Sequence, residues 1–336
     1  MKLGAAFGRI SVIGGGAWGT ALANLAAHNG VETLIWAREP EVAEDINLRR
    51  ENRTFLPGVT LHGGLHATSK LGAAAAAEAF LFVAPAQHAR VILTALRPDA
   101  PAAAPIALCA KGIEQASGKL LTDVLKEAWP TARPAVLSGP SFARDVALGL
   151  PTAVTLASSD AALGARWIAT ISALHFRPHL SDDLIGAELG GAVKNVLAIA
   201  AGVVEGKGLG ESARAALIAR GFAEFQRLGL ALGAKRETMA GLSGLGDLIL
   251  TACSRQSRNM TLGIELGKGR KAADILGERL SVAEGAATAP ALARLAKDRG
   301  VDMPIASAVA ALVAGEKDVD AVIAGLLSRP LKEETA

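Results

Sequence analysis

A single charge, Lys194, sits in the fourteen residues LGGAVKNVLAIAAG (189–202). On a helix its neighbours are Gly190, Gly191, Leu197 and Ala198, all small or apolar. Such surroundings desolvate an ammonium and lower its pKa, which suits a group that exchanges a proton near neutral pH. A lysine whose head snorkels to the surface would leave the same pattern. The two glycines before it each cost a helix roughly 1 kcal/mol relative to alanine. That cost makes sense where a substrate or a neighbouring backbone must come close.

Three further stretches carry groups that could work with this lysine. Lys111 directly follows the apolar run PIALC (105–109). It reads either as an ammonium aimed at a phosphate or carbonyl, or as a solvated lysine at a strand end. In GLSGLGDLILT (241–251), Asp247 follows a glycine-rich turn. It could hold a lysine, bond a substrate hydroxyl, or cap a helix. CSRQSRNMTLG (253–263) is rich in donors. There Arg258 and Asn259 offer a guanidinium fork and an amide suited to a phosphate monoester, and the alternative is a plain surface loop.

A second kind of chemistry is announced near the start. GGGAWG (14–19) matches GxGxxG with Gly14, Gly16 and Gly19. It follows a β-branched run and opens a helical one, the context that makes the motif a dinucleotide site. Gly14 permits the tight turn, Gly16 lets backbone approach a pyrophosphate, and Gly19 lets helix pack on strand. The helix N-terminus offers free N–H groups to the phosphates. NAD sites usually carry an acid about 20 residues further on; here the position holds Arg38, followed by Glu39. An arginine there can meet a 2′-phosphate, so NADPH is favoured or accepted alongside NADH.

These groups need a scaffold. The sequence predicts strands over Arg9–Ile13, Glu32–Trp36, Ala79–Val83, Pro105–Cys109, Ala135–Leu137 and Thr152–Leu156, with helices between most of them. That rhythm means an α/β Rossmann-type doubly wound, mostly parallel sheet. Past residue 180 only helical patterns remain: Asp183–Val204, Ser212–Leu232, Thr261–Leu266, Ala286–Asp298 and Ile305–Ala314. We therefore expect two domains, residues 1–180 binding the cofactor and 181–336 all-α. The boundary should fall at RPHLSDD, where Pro178 breaks the pattern and Ser181 or Asp182 caps the next helix. In the sheet domain, VAPAQ (83–87), AKG (110–112) and SGPSFA (138–143) lie at strand ends, where open α/β sheets bind ligands.

Composition narrows the classes. The 336 residues are 51% hydrophobic and 20% charged, with a net charge of +3. This is an ordinary globular balance that implies neither nucleic acid nor a membrane surface as partner. No signal peptide and no membrane-inserted segment are predicted. Cys109 and Cys253 fit no disulfide framework, and a cytoplasmic location follows. The six histidines form no metal-ligand pattern, so no metal is expected.

With GGGAWGTALA, FLPG, AKGIE, SGPSFA, GGAVKN, GLGDLILT and QSRN in this order, the chain resembles the bacterial NAD(P)-dependent glycerol-3-phosphate dehydrogenases from about Ile10 to about Leu327. The resemblance implies reduction of dihydroxyacetone phosphate to sn-glycerol 3-phosphate by NADH or NADPH, feeding phospholipid synthesis. By position it makes Lys194 the proton donor and acceptor, and Lys111 a contact to both substrate and cofactor. It assigns Gly139, Ser141, Asp247, Ser257, Arg258 and Asn259 to substrate, with Arg258 reaching the cofactor too. Gly14, Gly16, Ala17, Trp18, Gly19, Arg38, Phe55, Ala143, Val282 and Glu284 become cofactor positions. Ala17 departs from the serine common there, and Ser212 from GLG-x-N. The oligomeric state stays open, a homodimer through the helical domain being one arrangement.

Two rivals remain. A related lysine-using dehydrogenase for a hydroxy acid, such as a phosphogluconate or pantoate, would need a carboxylate site at Arg258–Asn259. A cofactor-binding regulatory protein would need no lysine and aspartate together.

Overall fold

The computed structural model describes residues 4–278 and 283–330. Its first half is one eight-stranded sheet: β1 (Arg9–Ile13), β2 (Glu32–Trp36), β3 (Leu65–Thr68), β4 (Ala79–Phe82), β5 (Pro105–Leu108), β6 (Arg133–Ser138), β7 (Thr152–Ala157) and β8 (Phe176–Ser181). The order across the sheet is β3-β2-β1-β4-β5-β6-β7-β8, and every pair is parallel except β6 with β7. The chain reverses direction of travel between β1 and β4, which sit side by side. A crevice opens at such a switch point, beyond the carboxyl ends of the strands. The central strands β4 and β5 are buried throughout, as their unbroken apolar sequences require when helices cover both faces.

Two strands differ from the expectation. β3 is a four-residue edge strand, LHAT, too short and too polar to show as an apolar run. β8 contains Pro178, which the sequence reading takes as a breaker. A proline cannot donate to a ladder, but β8 is the outer strand, where a missing N–H is tolerated. The next helix is capped one residue later than expected, by Asp183, whose side chain accepts from the Gly186 N–H.

From Leu184 onward the described residues are helical, with a five-residue π-helical turn over Leu242–Gly246. The helix Leu184–Gly206 is the axis of this half. Every residue from Gly186 to Val204 is buried, the polar Glu188, Lys194 and Asn195 among a majority of small and apolar residues. It is long and apolar enough to cross a membrane by length and composition, yet it lies wholly inside the protein. Its small residues let neighbours close in: a Cβ on Gly190 would sit 2.3 Å from the Ser243 carbonyl oxygen. Around it pack Glu211–Leu232, Asp247–Ala252, Arg258–Gly267, Glu284–Asp298 and Pro304–Ala314. Buried Glu224 accepts from the N–H groups of Ile305 and Ala306, so one helix caps the start of another.

Candidate active site

At the cofactor end, β1 runs straight into the glycine loop. Gly14 has φ +129°, and a Cβ there would lie 2.7 Å from the Ala84 nitrogen. A Cβ on Gly19 would meet the Gly14 carbonyl oxygen at 1.9 Å, so helix Ala17–His28 can start only with glycine there. Gly16 is different: a Cβ on it meets nothing within 4 Å, leaving an open cradle before a helix N-terminus. Trp18 has its indole N–H buried without a partner. An open backbone cradle at a positive helix end and an unused donor beside it fit a pyrophosphate-bearing ligand. Ala17, Trp18, Phe55 and Ala143 are all half-buried against the same core. The Arg144 guanidinium bonds the Pro57 carbonyl, tying the short helix after β6 to the FLPG loop. Arg38 lies past the end of β2, exposed, and both Nε and Nη2 donate to Glu39 Oε1.

Beyond the carboxyl ends of β5 and β6, three residues far apart in sequence meet. Lys194 Nζ donates to Asp247 Oδ1 at 2.7 Å and to Thr251 Oγ1 at 2.8 Å. Lys111 Nζ donates to Asp247 Oδ2 at 2.7 Å and to the Gly139 carbonyl at 2.9 Å. One carboxylate therefore holds two ammoniums, one on each oxygen, and the cluster carries a net positive charge.

Local sequence explains each approach. Leu108 of β5 pairs with Val136 of β6, so Lys111, past the end of one strand, reaches the turn after the other. Gly139 makes that turn at φ +145°, against Val154. Gly191 leaves space for Lys111, whose Cγ would be 3.2 Å from a Cβ there. The π-helical turn Leu242–Gly246, of a kind often found at functional sites, wedges against Gly190 and delivers Asp247 inward. Helix Asp247–Ala252 takes Gly246 as its N-cap, so Asp247 is not the cap; its carboxylate holds both lysines.

The electrostatics follow from burial. Desolvation is the main force that lowers the Lys194 pKa to about 8; the Lys111 ammonium adds to it and Asp247 opposes it. Burial pushes the Asp247 carboxyl up, but the two ammoniums together outweigh it and hold the group below the usual carboxylate range.

Around this cluster a chain of side-chain amides joins the two halves. Asn195 donates to the Lys111 carbonyl at 2.9 Å, Asn259 donates to Asn195 Oδ1 at 2.9 Å, and the Gly285 N–H donates to Asn259 Oδ1. Glu284 accepts from the backbone N–H groups of Ala86 and Lys111, at the ends of β4 and β5. Ser257 caps helix Arg258–Gly267 by accepting from the Met260 N–H. The helix thus begins at Arg258, three residues earlier than its periodicity suggested, and its N-terminal dipole end lies at the SRN segment. Arg258 is exposed, Ser257 and Asn259 are buried. Asn259 uses its oxygen and one N–H within the protein; the second N–H is what it can still offer. Ser141 donates to the Gly139 carbonyl. Val282 lies outside the described residues. Thr251 and Asn195 were not singled out by the sequence reading. Each is one helical turn or one residue from a group that was, and that adjacency is the only signal they leave.

A doubly wound dinucleotide-binding sheet, whose crevice ends on a lysine–carboxylate–lysine cluster supplied with a helical half, defines a two-part nicotinamide-dependent oxidoreductase. Comparison with known proteins narrows the class. Residues 9–164 match the family model for the NAD-dependent glycerol-3-phosphate dehydrogenase N-terminus, and residues 183–324 that for its C-terminus. The chain belongs to this family and is an NAD(P)-dependent oxidoreductase. It is 56% identical over 330 residues to the glycerol-3-phosphate dehydrogenase [NAD(P)+] of Parvibaculum lavamentivorans, covering 98% of this chain and 99% of the relative. The corresponding protein of Hyphomonas neptunium is 57% identical over 328 residues, with 98% of each chain covered. Among solved structures, the glycerol-3-phosphate dehydrogenase of Coxiella burnetii superposes with TM-score 0.92 at 35% identity, over 96% of this chain and 99% of that one. A ketopantoate reductase from Ralstonia eutropha, at 18% identity and TM-score 0.60 over 91% of this chain and 97% of that one, shares the fold alone.

Proposed function

We propose that this protein reduces dihydroxyacetone phosphate to sn-glycerol 3-phosphate with NADH or NADPH, reversibly, and that Lys194 is the proton donor and acceptor. The observation that carries this reading is the Lys194–Asp247–Lys111 cluster beyond the carboxyl ends of β5 and β6. The nicotinamide, when bound, supplies the hydride. As charge grows on the former carbonyl oxygen, Lys194 gives it a proton, and Asp247 and Thr251 hold the ammonium in line. Such acid–base help is typically worth about 10²–10⁴ in rate. Lys111 adds fixed positive charge where the oxyanion forms, a stabilisation that is larger in a desolvated site. In this reading the phosphate end is bound by Arg258, Asn259 and the start of their helix, and Gly139 and Ser141 contribute from the loop that Lys111 reaches.

The division near residue 180 then separates a cofactor half from a catalytic half. The product serves glycerophospholipid synthesis in the cytoplasm, and a homodimer through the helical half is compatible with this role. One assay decides the substrate. With NADPH, nicotinamide absorbance should fall on adding dihydroxyacetone phosphate, not ketopantoate and not ribulose 5-phosphate with bicarbonate. Turnover of either rival substrate alone would refute the proposal.

The Lys194 pKa of about 8 sets a pH dependence with a definite sign. Reduction needs the protonated amine, so kcat/KM for dihydroxyacetone phosphate should be flat below pH ~8 and fall about tenfold per unit above it. Oxidation of glycerol 3-phosphate needs the free amine, so its kcat/KM should rise through the same pH and level off. Parallel profiles for the two directions would refute the assignment of the proton to this lysine.

Cofactor preference turns on the Arg38–Glu39 pair. A 2′-phosphate arriving at Arg38 meets the Glu39 carboxylate already bonded to it, whereas a ribose 2′-hydroxyl can donate to that carboxylate. Glu39→Gln should therefore raise affinity for NADPH relative to NADH on the order of tenfold at low salt. Quenching of tryptophan fluorescence by each nucleotide measures the ratio, and an unchanged ratio counts against this role.

A further inference from the structure

The glycine loop is not held by its own residues alone. Asn52, in the loop between helix Pro40–Arg49 and β3, is completely buried. Its amide nitrogen donates to the Gly15 carbonyl and to Thr20 Oγ1, each at 2.8 Å. Its amide oxygen accepts from the Phe55 N–H at 3.0 Å. Both N–H groups and the oxygen are thus committed inside the protein, and the side chain has nothing left to offer a ligand except through what it holds. The Thr20 hydroxyl completes the clamp by donating to the same Gly15 carbonyl.

That carbonyl matters because of the peptide plane. In a trans peptide the C=O of one residue and the N–H of the next point in opposite directions. With the Gly15 oxygen held by Asn52 and Thr20, the Gly16 N–H points away from them, and Gly16 itself is exposed. This is the direction from which a pyrophosphate would approach a helix N-terminus. Asn52 also closes its own loop, since Leu56 N–H donates to the Asn52 carbonyl at 2.8 Å. The turn carrying Phe55 therefore hangs on the same amide that orients the glycine loop. Arg53 anchors the turn from the other side on Asp45, at 2.9 Å.

We propose that Asn52 is a positioning residue for dinucleotide binding, which presets the Gly15–Gly16 peptide and the Phe55 turn as one unit before the cofactor arrives. An unclamped peptide must be ordered by the ligand itself, and that cost appears as lost affinity. The loss falls equally on NADH and NADPH, because the pyrophosphate is common to both. This inference rests on the dinucleotide reading of the glycine loop but not on the identity of the substrate.

The test uses the full chain, with titration calorimetry for NADH and for ADP-ribose, steady-state kcat at saturating NADH, and thermal unfolding. Asn52→Ala should weaken NADH and ADP-ribose together by roughly ten- to a hundredfold, while kcat stays within about threefold of the parent. Thr20→Val keeps the side-chain shape and removes the shared hydroxyl; it should weaken both ligands by roughly threefold or more. A folded Asn52→Ala protein that binds both ligands normally overturns the proposal. So does a loss confined to kcat, or one felt by NADH and not by ADP-ribose. If Asn52→Ala does not fold, Thr20→Val decides, and unchanged affinity in it overturns the proposal. A parent protein that binds ADP-ribose but does not turn over dihydroxyacetone phosphate would refute the substrate reading and leave this one standing.

Discussion

Lys194→Met should lower kcat for dihydroxyacetone phosphate by about 10²–10⁴-fold and leave NADH affinity within a few-fold of the parent. Methionine is unbranched and of similar length, so it fills the same buried space beside Asp247 and Thr251 without strain. Losing the ammonium does not strand its partner, since Asp247 keeps Lys111 on its other oxygen at 2.7 Å. The variant also escapes the desolvation that depresses the Lys194 pKa. Its melting temperature should therefore stay near the parent's, or rise, and lost turnover cannot be blamed on unfolding. Lys111→Met is the necessary companion. If Lys194 carries the proton, Lys194→Met abolishes the pH limb near 8, whereas Lys111→Met keeps a limb and moves it upward, because the neighbouring ammonium that helped lower the Lys194 pKa is gone. The reverse pattern would transfer the proton work to Lys111.

The lysine–carboxylate cluster shows what a sequence can and cannot say. Lys194 is legible alone, because a single charge in the largely apolar stretch 189–202 is costly and invites an explanation. Its pairing is not, since Asp247 lies 53 positions away and Lys111 a further 83 before Lys194. Only the fold makes them neighbours. The glycine loop is legible for the opposite reason: its motif is local, from Gly14 to Gly19, and the flanking β and α patterns declare its context. β8 was hidden because proline carries a local signal of interruption, and only the sheet order reveals that the signal falls on an outer strand. Asn259 was read as a ligand from its place beside Arg258. The structure spends most of its amide on Asn195 and Gly285, a bond between helices that no local pattern encodes. Asn52 left no signal, because a buried asparagine in a loop looks like any turn residue.

Asp247→Asn is expected to do the widest damage, because this carboxylate is the counter-charge that two ammoniums share. The amide matches it in shape but not in function. Its oxygen can accept from one lysine, and its NH₂ then faces the other as donor to donor. Removing one partner of a buried ion pair typically costs about 3–5 kcal/mol, and urea unfolding at pH 7 should show a loss of that size. The pH dependence supplies the control. Lys194 already has a folded pKa of about 8, below its ordinary 10.5, and without Asp247 it falls further. A lysine depressed in this way binds fewer protons folded than unfolded, so its destabilisation is greatest at low pH and fades as pH rises towards 10.5. The stability deficit of Asp247→Asn against the parent should therefore shrink between pH 7 and pH 10. Turnover should fall for a related reason: a larger share of the amine is neutral at pH 7 and has no proton to give, so the limb for reduction moves to lower pH. A deficit under about 1 kcal/mol, or one that is the same at pH 7 and pH 10, would mean that Asp247 does not sustain the charge of the two lysines, and the catalytic assignment of Lys194 would lose its electrostatic basis.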